Sequence, residues 1–211
     1  MRLYGHANMH DEGQGGPQIL PEARRLYLAA AKGDATALCS LGFMQHAVQD
    51  GPQDLPEARR LYGLAAEQGV AGAQFNLGVM HDKGQGGPQD LPEARRLFGL
   101  AAAQGFADAQ YNLGVMHDKG RGGPQDLPEA RRLYSLAAAQ GHTVAECSLG
   151  VMHADGQGGR KDLPEARRLF GLAAAQGFAC AQFHLGLMHE DGEGGPQDRS
   201  GCMASRPRRG I

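Results

Sequence analysis

Between Phe106 and Gly141 the apolar residues fall into two helical stripes separated by a glycine-rich break. In the first stripe Ala109, Leu113 and Met116 recur at steps of four and three, the spacing that gathers side chains on one face of an α-helix. This helix A is expected to end near Lys119, because Gly120 suits the left-handed conformation that closes a helix. The stretch "RGGPQ" reads as loop. In the second stripe Ala130, Leu133, Tyr134 and Ala137 share a face. Asp126 is placed to accept as N-cap, and Glu129 three residues on completes a capping-box pattern. Pro128 sits in the first turn, where no helical hydrogen bond needs its N–H. Arg131 and Arg132 fall off the stripe and are expected to face solvent. Gly141 ends this helix B, and the next helix A follows after a very short turn.

The second stripe recurs. "ILPEARRLY" begins at Ile19, "DLPEARRLY" at Asp54 and Asp126, and "DLPEARRLF" at Asp90 and Asp162. Their prolines are 35, 36, 36 and 36 residues apart. A pair of helices cannot bury such a stripe alone, whereas stacked copies can. Gly42, Gly78, Gly114, Gly150 and Gly186 recur in the middle of helix A. A helical glycine costs about 1 kcal/mol, so its return at one phase implies close helix packing. The pattern predicts an all-α solenoid of about five antiparallel helix pairs.

The segments "A-x-A-Q-x-x-L-G-x-M", "G-x-G-x-P-Q-D" and "E-A-x-x-x-x-x-x-A-A-x-x-G" carry a resemblance to the Sel-one-like repeat (SLR) family, relatives of tetratricopeptide repeats. It extends from residue 1 to about Asp198. It implies a right-handed superhelical solenoid that assembles protein complexes without catalysing a reaction. Residues 1–198 are then the solenoid, with partial repeats at both ends, and 199–211 a disordered basic tail. The alternative implied by those partial ends is a docking or regulatory fragment of a larger enzyme. The chain departs from the family in carrying His10, His81, His117, His153 and His189 where tyrosine is usual, and in lacking the paired cysteines of one disulfide-tied branch.

Composition narrows the chemistry. Lys+Arg 21 against Asp+Glu 23 leaves a net charge of -2, without the basic footprint that nucleic acid attracts. No stretch approaches the roughly 18 apolar residues of a membrane span, and "MRLYGHANMHDEG" has no apolar signal core. Cys39 and Cys147 occupy one repeat position three repeats apart. At roughly 10 Å per packed helix layer they are too far apart for a disulfide, which points to free thiols and a cytoplasmic location. The histidines are likewise about 10 Å from one another, whereas zinc needs its donors gathered around one point, so the column reads as structural. "DKGQGGPQDLPE" from Asp82 places glycine and proline where a calcium loop needs carboxylates. The "GQGG" segments join helix to helix rather than strand to helix, which argues against a nucleotide loop. No catalytic grouping, metal site or cofactor is expected.

A second face of helix A suggests where a protein or peptide would bind. Phe43, Phe75, Val79, Tyr111, Val115, Val151, Phe183 and Leu187 form an apolar column, which Cys39 and Cys147 extend. By analogy with tetratricopeptide repeats this face lines the concave side, with Asp82, Lys83, Asp118 and Lys119 at its rim. A separate expectation concerns the last helix A, which "RSGCMASRPRRGI" leaves without a following "LPEARRLY". Hydrogen exchange is expected to find residues from about Cys180 onward far less protected than those around Leu113. Equal protection at both places would mean that the tail, or a second molecule, caps that end.

Overall fold

The computed structural model describes Leu28 and residues 33–47 and 54–190. Among these residues there are nine α-helices and no strand. The A helices are α1 (Ala35–Ala47), α3 (Ala71–Lys83), α5 (Ala107–Lys119), α7 (Thr143–Asp155) and α9 (Ala179–Glu190). The B helices are α2 (Leu55–Glu67), α4 (Leu91–Ala103), α6 (Leu127–Ala138) and α8 (Leu163–Ala175). The chain divides into two compact units, Met1–Gln125 and Asp126–Ile211. Within each, consecutive helices pack on one another: α1 to α5 in the first, α6 to α9 in the second. The segment from Ile19 to Tyr27 and the expected tail at 199–211 lie outside the described residues.

Each B helix starts as its sequence dictates. The carboxylates of Asp54, Asp90, Asp126 and Asp162 accept from the backbone N–H of Glu57, Glu93, Glu129 and Glu165, each at 3.0 Å. At Asp90 and Asp162 the returning half of the capping box is replaced by another partner, which corrects the expectation there. The Glu93 carboxylate instead takes a two-pronged hydrogen bond from Arg96, at 2.6 and 2.7 Å. The Asp90 N–H donates to the His81 carbonyl at 3.0 Å, and that of Asp162 to the His153 carbonyl at 2.9 Å. A charge-assisted fork outcompetes a neutral N–H for the glutamate. The last turn of helix A offers an unpaired carbonyl to the N-cap. Helices α3, α5 and α7 end at Gly84, Gly120 and Gly156, with φ of 67°, 65° and 72°.

The mid-helix glycines have the packing role that their recurrence implied. A Cβ on Gly78 would stand 2.8 Å from Cε1 of Phe98, and one on Gly150 would stand 2.7 Å from Cε1 of Phe170. At Gly42 the ring of Tyr62 would be 3.0 Å away. Tyr62, Phe98 and Phe170 thus lie against the backbone of their own helix A. Around it, Ala58, Leu61, Ala65, Ala73 and Met80 close the core of the first unit. In the second, Ala166, Ala173, Ala181 and Met188 surround Phe170. Burying an aromatic side chain of this size stabilises the fold by about 1.5–3 kcal/mol.

Buried glutamines join one repeat to the next. Gln74 and Gln110 donate through Nε2 to the carbonyls of Ala66 and Ala102, at 3.2 and 3.3 Å, satisfying the C-terminal turn of the preceding B helix. In the second unit Glu146 takes this position and accepts from Gln176 Nε2 at 2.9 Å.

Glycines at two phases of the helix pairs should respond oppositely to one added methyl group. At Gly99 and Gly171, inside B helices, a Cβ would meet nothing within 4 Å. Gly99→Ala and Gly171→Ala should each stabilise the chain by about 1 kcal/mol through helix propensity. Gly78→Ala forces the Phe98 ring away and should destabilise by about 1–3 kcal/mol. Urea denaturation followed by circular dichroism reads both signs.

Candidate interaction surface

The first arginine of each pair does not lie on the solvent face, contrary to the expectation from the helix pattern. Arg59 reaches into the next repeat, where Nη2 is 2.9 Å from His81 Nδ1 and Nη1 donates to the Pro88 carbonyl at 3.2 Å. Arg95 does the same with His117 and the Pro124 carbonyl, at 2.8 and 3.1 Å. In the second unit Arg131 meets His153 at 2.8 Å and the Arg160 carbonyl at 3.1 Å, and Arg167 meets His189 at 2.8 Å. The second arginine of each pair stays exposed and bridges to the glutamate one turn earlier, as in Arg60–Glu57 at 2.7 Å and Arg168–Glu165 at 2.6 Å.

The glycine loops make this reach possible. A Cβ on Gly86 would stand 2.3 Å from the Leu55 carbonyl oxygen, and one on Gly87 would stand 2.3 Å from Arg59 Nη1. Gly122 and Gly158 approach the Leu91 and Leu127 carbonyls equally closely. Gly86 also has a φ of 68°, which a side chain would strain. The "GQGG" segment is therefore a docking surface for the preceding B helix and its arginine.

This contact sets the histidine chemistry. A guanidinium only donates, so the ring nitrogen facing it must carry a lone pair and the imidazole must be neutral. Burial is the main cause holding the His81 pKa below its ordinary value, and Arg59 lowers it further. Glu93 and Asp90 pull the other way, and Arg96 adds a smaller lowering. His153 is lowered by burial and then by Arg131, against Glu165 and Asp162, with Arg168 again lowering. Among the described residues no three His, Cys, Asp or Glu side chains are gathered as metal ligands.

The apolar column predicted on helix A is unevenly exposed. Phe43, Phe183 and Leu187 are exposed, with relative accessibilities of 51%, 64% and 41%. Phe75, Val79, Tyr111, Val115 and Val151 are half-buried. Cys39 and Cys147, assigned to the same column, are buried in the cores of their units. Phe75 shares its surface with structure, since its ring centroid is 5.8 Å from Phe98 and 5.1 Å from Phe106. At the rim Asp82 pairs with Arg121 at 2.7 Å, and Asp118 with Lys119 at 2.9 Å. A second apolar set lies outside the periodic stripe. Leu64 and Leu100 of the first unit and Leu136 and Leu172 of the second are exposed on their B helices. The sequence signal was the leucine just before each alanine pair, at a phase the buried stripe does not use.

With helix pairs, glycine docking and inter-repeat clamps in place, the comparisons fix the family. The Sel1 repeat model matches residues 1–34, 35–70, 71–106, 107–142, 143–178 and 181–203. The chain belongs to the Sel1 repeat family. Its repeats resemble those of c5321, a protective antigen present in uropathogenic Escherichia coli strains that displays an SLR fold, with 34% identity and a TM-score of 0.78. That alignment covers 83% of this chain and 37% of the Escherichia coli protein, so the chain spans little more than a third of that relative. A Sel1 repeat protein from Oxalobacter formigenes is 27% identical with a TM-score of 0.73, over 83% of this chain and 75% of the other. No curated protein matches the chain. Sel1 repeat proteins are in general protein-interaction scaffolds, and these repeats form the all-α solenoid of that family.

Burial of the histidines, together with their arginine contacts, should make the stability of these Sel1 repeats sensitive to mild acid. The folded pKa values of His81 and His153 lie below the unfolded value of about 6.5, so the unfolded chain binds protons first. The stability they contribute is complete above that pH and is lost as pH falls through it towards the folded values. Glu57, Glu93 and Glu165, held below their ordinary pKa chiefly by hydrogen bonds from Arg60, Arg96 and Arg168, lose their contribution only in stronger acid. Thermal melts on acidification below about pH 6.5 should fall before Glu57, Glu93 and Glu165 titrate, and His81→Gln with His153→Gln should flatten that first decline.

Proposed function

We propose that the chain is a non-enzymatic scaffold that binds an extended or helical peptide through the partly exposed apolar faces of its A helices. The observation that carries this is the set Phe75, Val79, Tyr111 and Val115 on α3 and α5, each half-buried on a helix whose Ala73 and Leu77, or Ala109 and Leu113, are the buried residues. In the second unit Val151, Phe183 and Leu187 are the corresponding residues. The charged side chains around the first set, Asp82, Arg121, Asp118 and Lys119, give it a polar border. An apolar strip with a charged border suits a peptide that presents apolar anchors and a few polar contacts. Membership of a family of interaction scaffolds supports the same reading, and the arginines, histidines and glycines are engaged in joining repeats.

One observation favours a second reading, in which the partner lies on the B helices. Leu64 and Leu100 are more exposed than the A-helix residues between them and also repeat with the array.

Selection of peptide ligands from a displayed random library on the whole chain separates the two. Under the first reading Tyr111→Ala with Val115→Ser should weaken the selected peptides by more than about tenfold, with under roughly 1 kcal/mol lost in stability. Leu64→Ser with Leu100→Ser should leave them unaffected. The reverse pattern assigns binding to the B helices. Unfolding by Tyr111→Ala assigns that ring to the core, where aromatic truncation costs about 3–5 kcal/mol.

A further inference from the structure

Two thiols in the second unit lie together although their sequence positions gave no hint of it. Cys147 on α7 and Cys180 at the start of α9 have their Sγ atoms 3.4 Å apart, with no disulfide between them. They are 33 residues apart, one helical turn short of the repeat length. The same register recurs in the first unit, where a Cβ on Gly72 would lie 3.9 Å from Cys39 Sγ. Residues 33 apart on successive A helices therefore face each other as a property of the repeat, and only Cys147 and Cys180 fill both places with sulfur. A disulfide is about 2.05 Å long, so closing the gap needs about 1.3 Å of side-chain adjustment.

We propose that Cys147 and Cys180 are a reversible dithiol–disulfide site that clamps α9 to α7 by exchange with a small disulfide. The two thiols are unequal in a way that orders the steps. Cys180 is exposed, whereas Cys147 is buried in the cluster formed with Phe170, Ala173 and Met188. A small disulfide can reach only Cys180. The Cys180 thiolate attacks one sulfur of that disulfide, expels one small thiolate and becomes a mixed disulfide. Cys147 loses its proton and attacks Cys180 Sγ, expelling the second small thiolate. The protein gives up two protons and two electrons, and the small disulfide becomes two thiols.

Burial pushes the Cys147 thiol up to about 12, with further contributions from its hydrogen bond with Cys180 and from the Cys180 charge. Both contributions from Cys180 vanish once that sulfur is in the mixed disulfide, which brings Cys147 closer to ionisation when its attack is needed. Cys147 is thus held as the thiol until exchange at Cys180 prepares the closing step.

The clamp acts on the helix with the fewest buried residues among those described in the second unit. On α9 only Ala181 and Met188 are buried, against six residues on α7. A Cβ on Gly186 would meet nothing within 4 Å, whereas the matching Gly150 lies against Phe170. A covalent tie to α7 supplies order that packing on α8 alone does not. It also holds Phe183 and Leu187, two residues of the proposed peptide strip.

The test uses the whole chain with Cys39→Ser and Cys202→Ser, so that only the pair can react. Oxidised glutathione is added, and the product is analysed by intact mass, peptide mapping and hydrogen exchange. The expected product has lost two hydrogen atoms, yields a Cys147–Cys180 cross-linked peptide and reverts with dithiothreitol. Amides of α9 should gain protection by about tenfold or more over the reduced form. Cys180→Ser, at an exposed position, should keep the fold and lose both the cross-link and the gain. A glutathione adduct that persists on Cys180 overturns the proposal, and so does a bridge without added protection. With Cys202 restored, predominant Cys180–Cys202 bridging overturns it as well.

Discussion

The ring of Phe98 occupies the space that a side chain at position 78 would need, and the packing of that repeat follows from this exclusion. With only hydrogen on Gly78, helix B settles flat on helix A, and the neighbouring alanines can be small because the two backbones are close. The helix-propensity loss of about 1 kcal/mol at the glycine is offset by burial of a whole aromatic ring. Gly150 and Phe170 repeat the arrangement in the second unit, and Gly42 with Tyr62 shows it with a phenol. The Tyr62 hydroxyl is buried without a hydrogen-bond partner, which Phe98 avoids at the same phase.

Once that intra-repeat contact is made, polar groups set the order of repeats. Arg59 bridges to His81 and to a loop carbonyl, and Gln74 closes the end of the preceding helix. Hydrophobic burial alone would accept many neighbouring arrangements. Directional donors aimed at particular carbonyls and lone pairs accept few. The loop glycines belong to the same device, since a side chain at Gly86 or Gly87 would occupy the place of the Leu55 carbonyl or the Arg59 guanidinium. Residue types that suggest metal or phosphate chemistry when read along the chain are thereby used in joining repeats.

Helix boundaries, N-caps and buried stripes were legible because each depends on a few residues close together in sequence. Asp126 caps and Gly120 terminates as their positions dictate. What escaped was whatever depends on the neighbouring repeat. Arg131 belongs to the solvent face of an isolated helix, and only the loop of the next repeat draws it aside. Glu93 satisfies the capping-box spacing, yet Arg96 offers it a stronger partner. Cys147 and Cys39 share a phase of the repeat, whereas Cys147 touches Cys180, which is offset by one turn. The peptide strip was read from helix phase alone. Its members range from half-buried to exposed, which helix phase does not encode.

The arginine clamp has a consequence for how such a chain can change its length. Arg59 finds in the repeat after it the same histidine, glycine pair and loop carbonyl that Arg95 finds in the next. A junction of this kind identifies its neighbour by type and not by identity. Excising or duplicating one complete unit would bring an arginine against an equivalent loop, with no new complementarity to invent. Unequal recombination within the coding sequence could therefore lengthen or shorten the array while keeping its joints intact, and the number of repeats becomes a trait free to drift or to be selected.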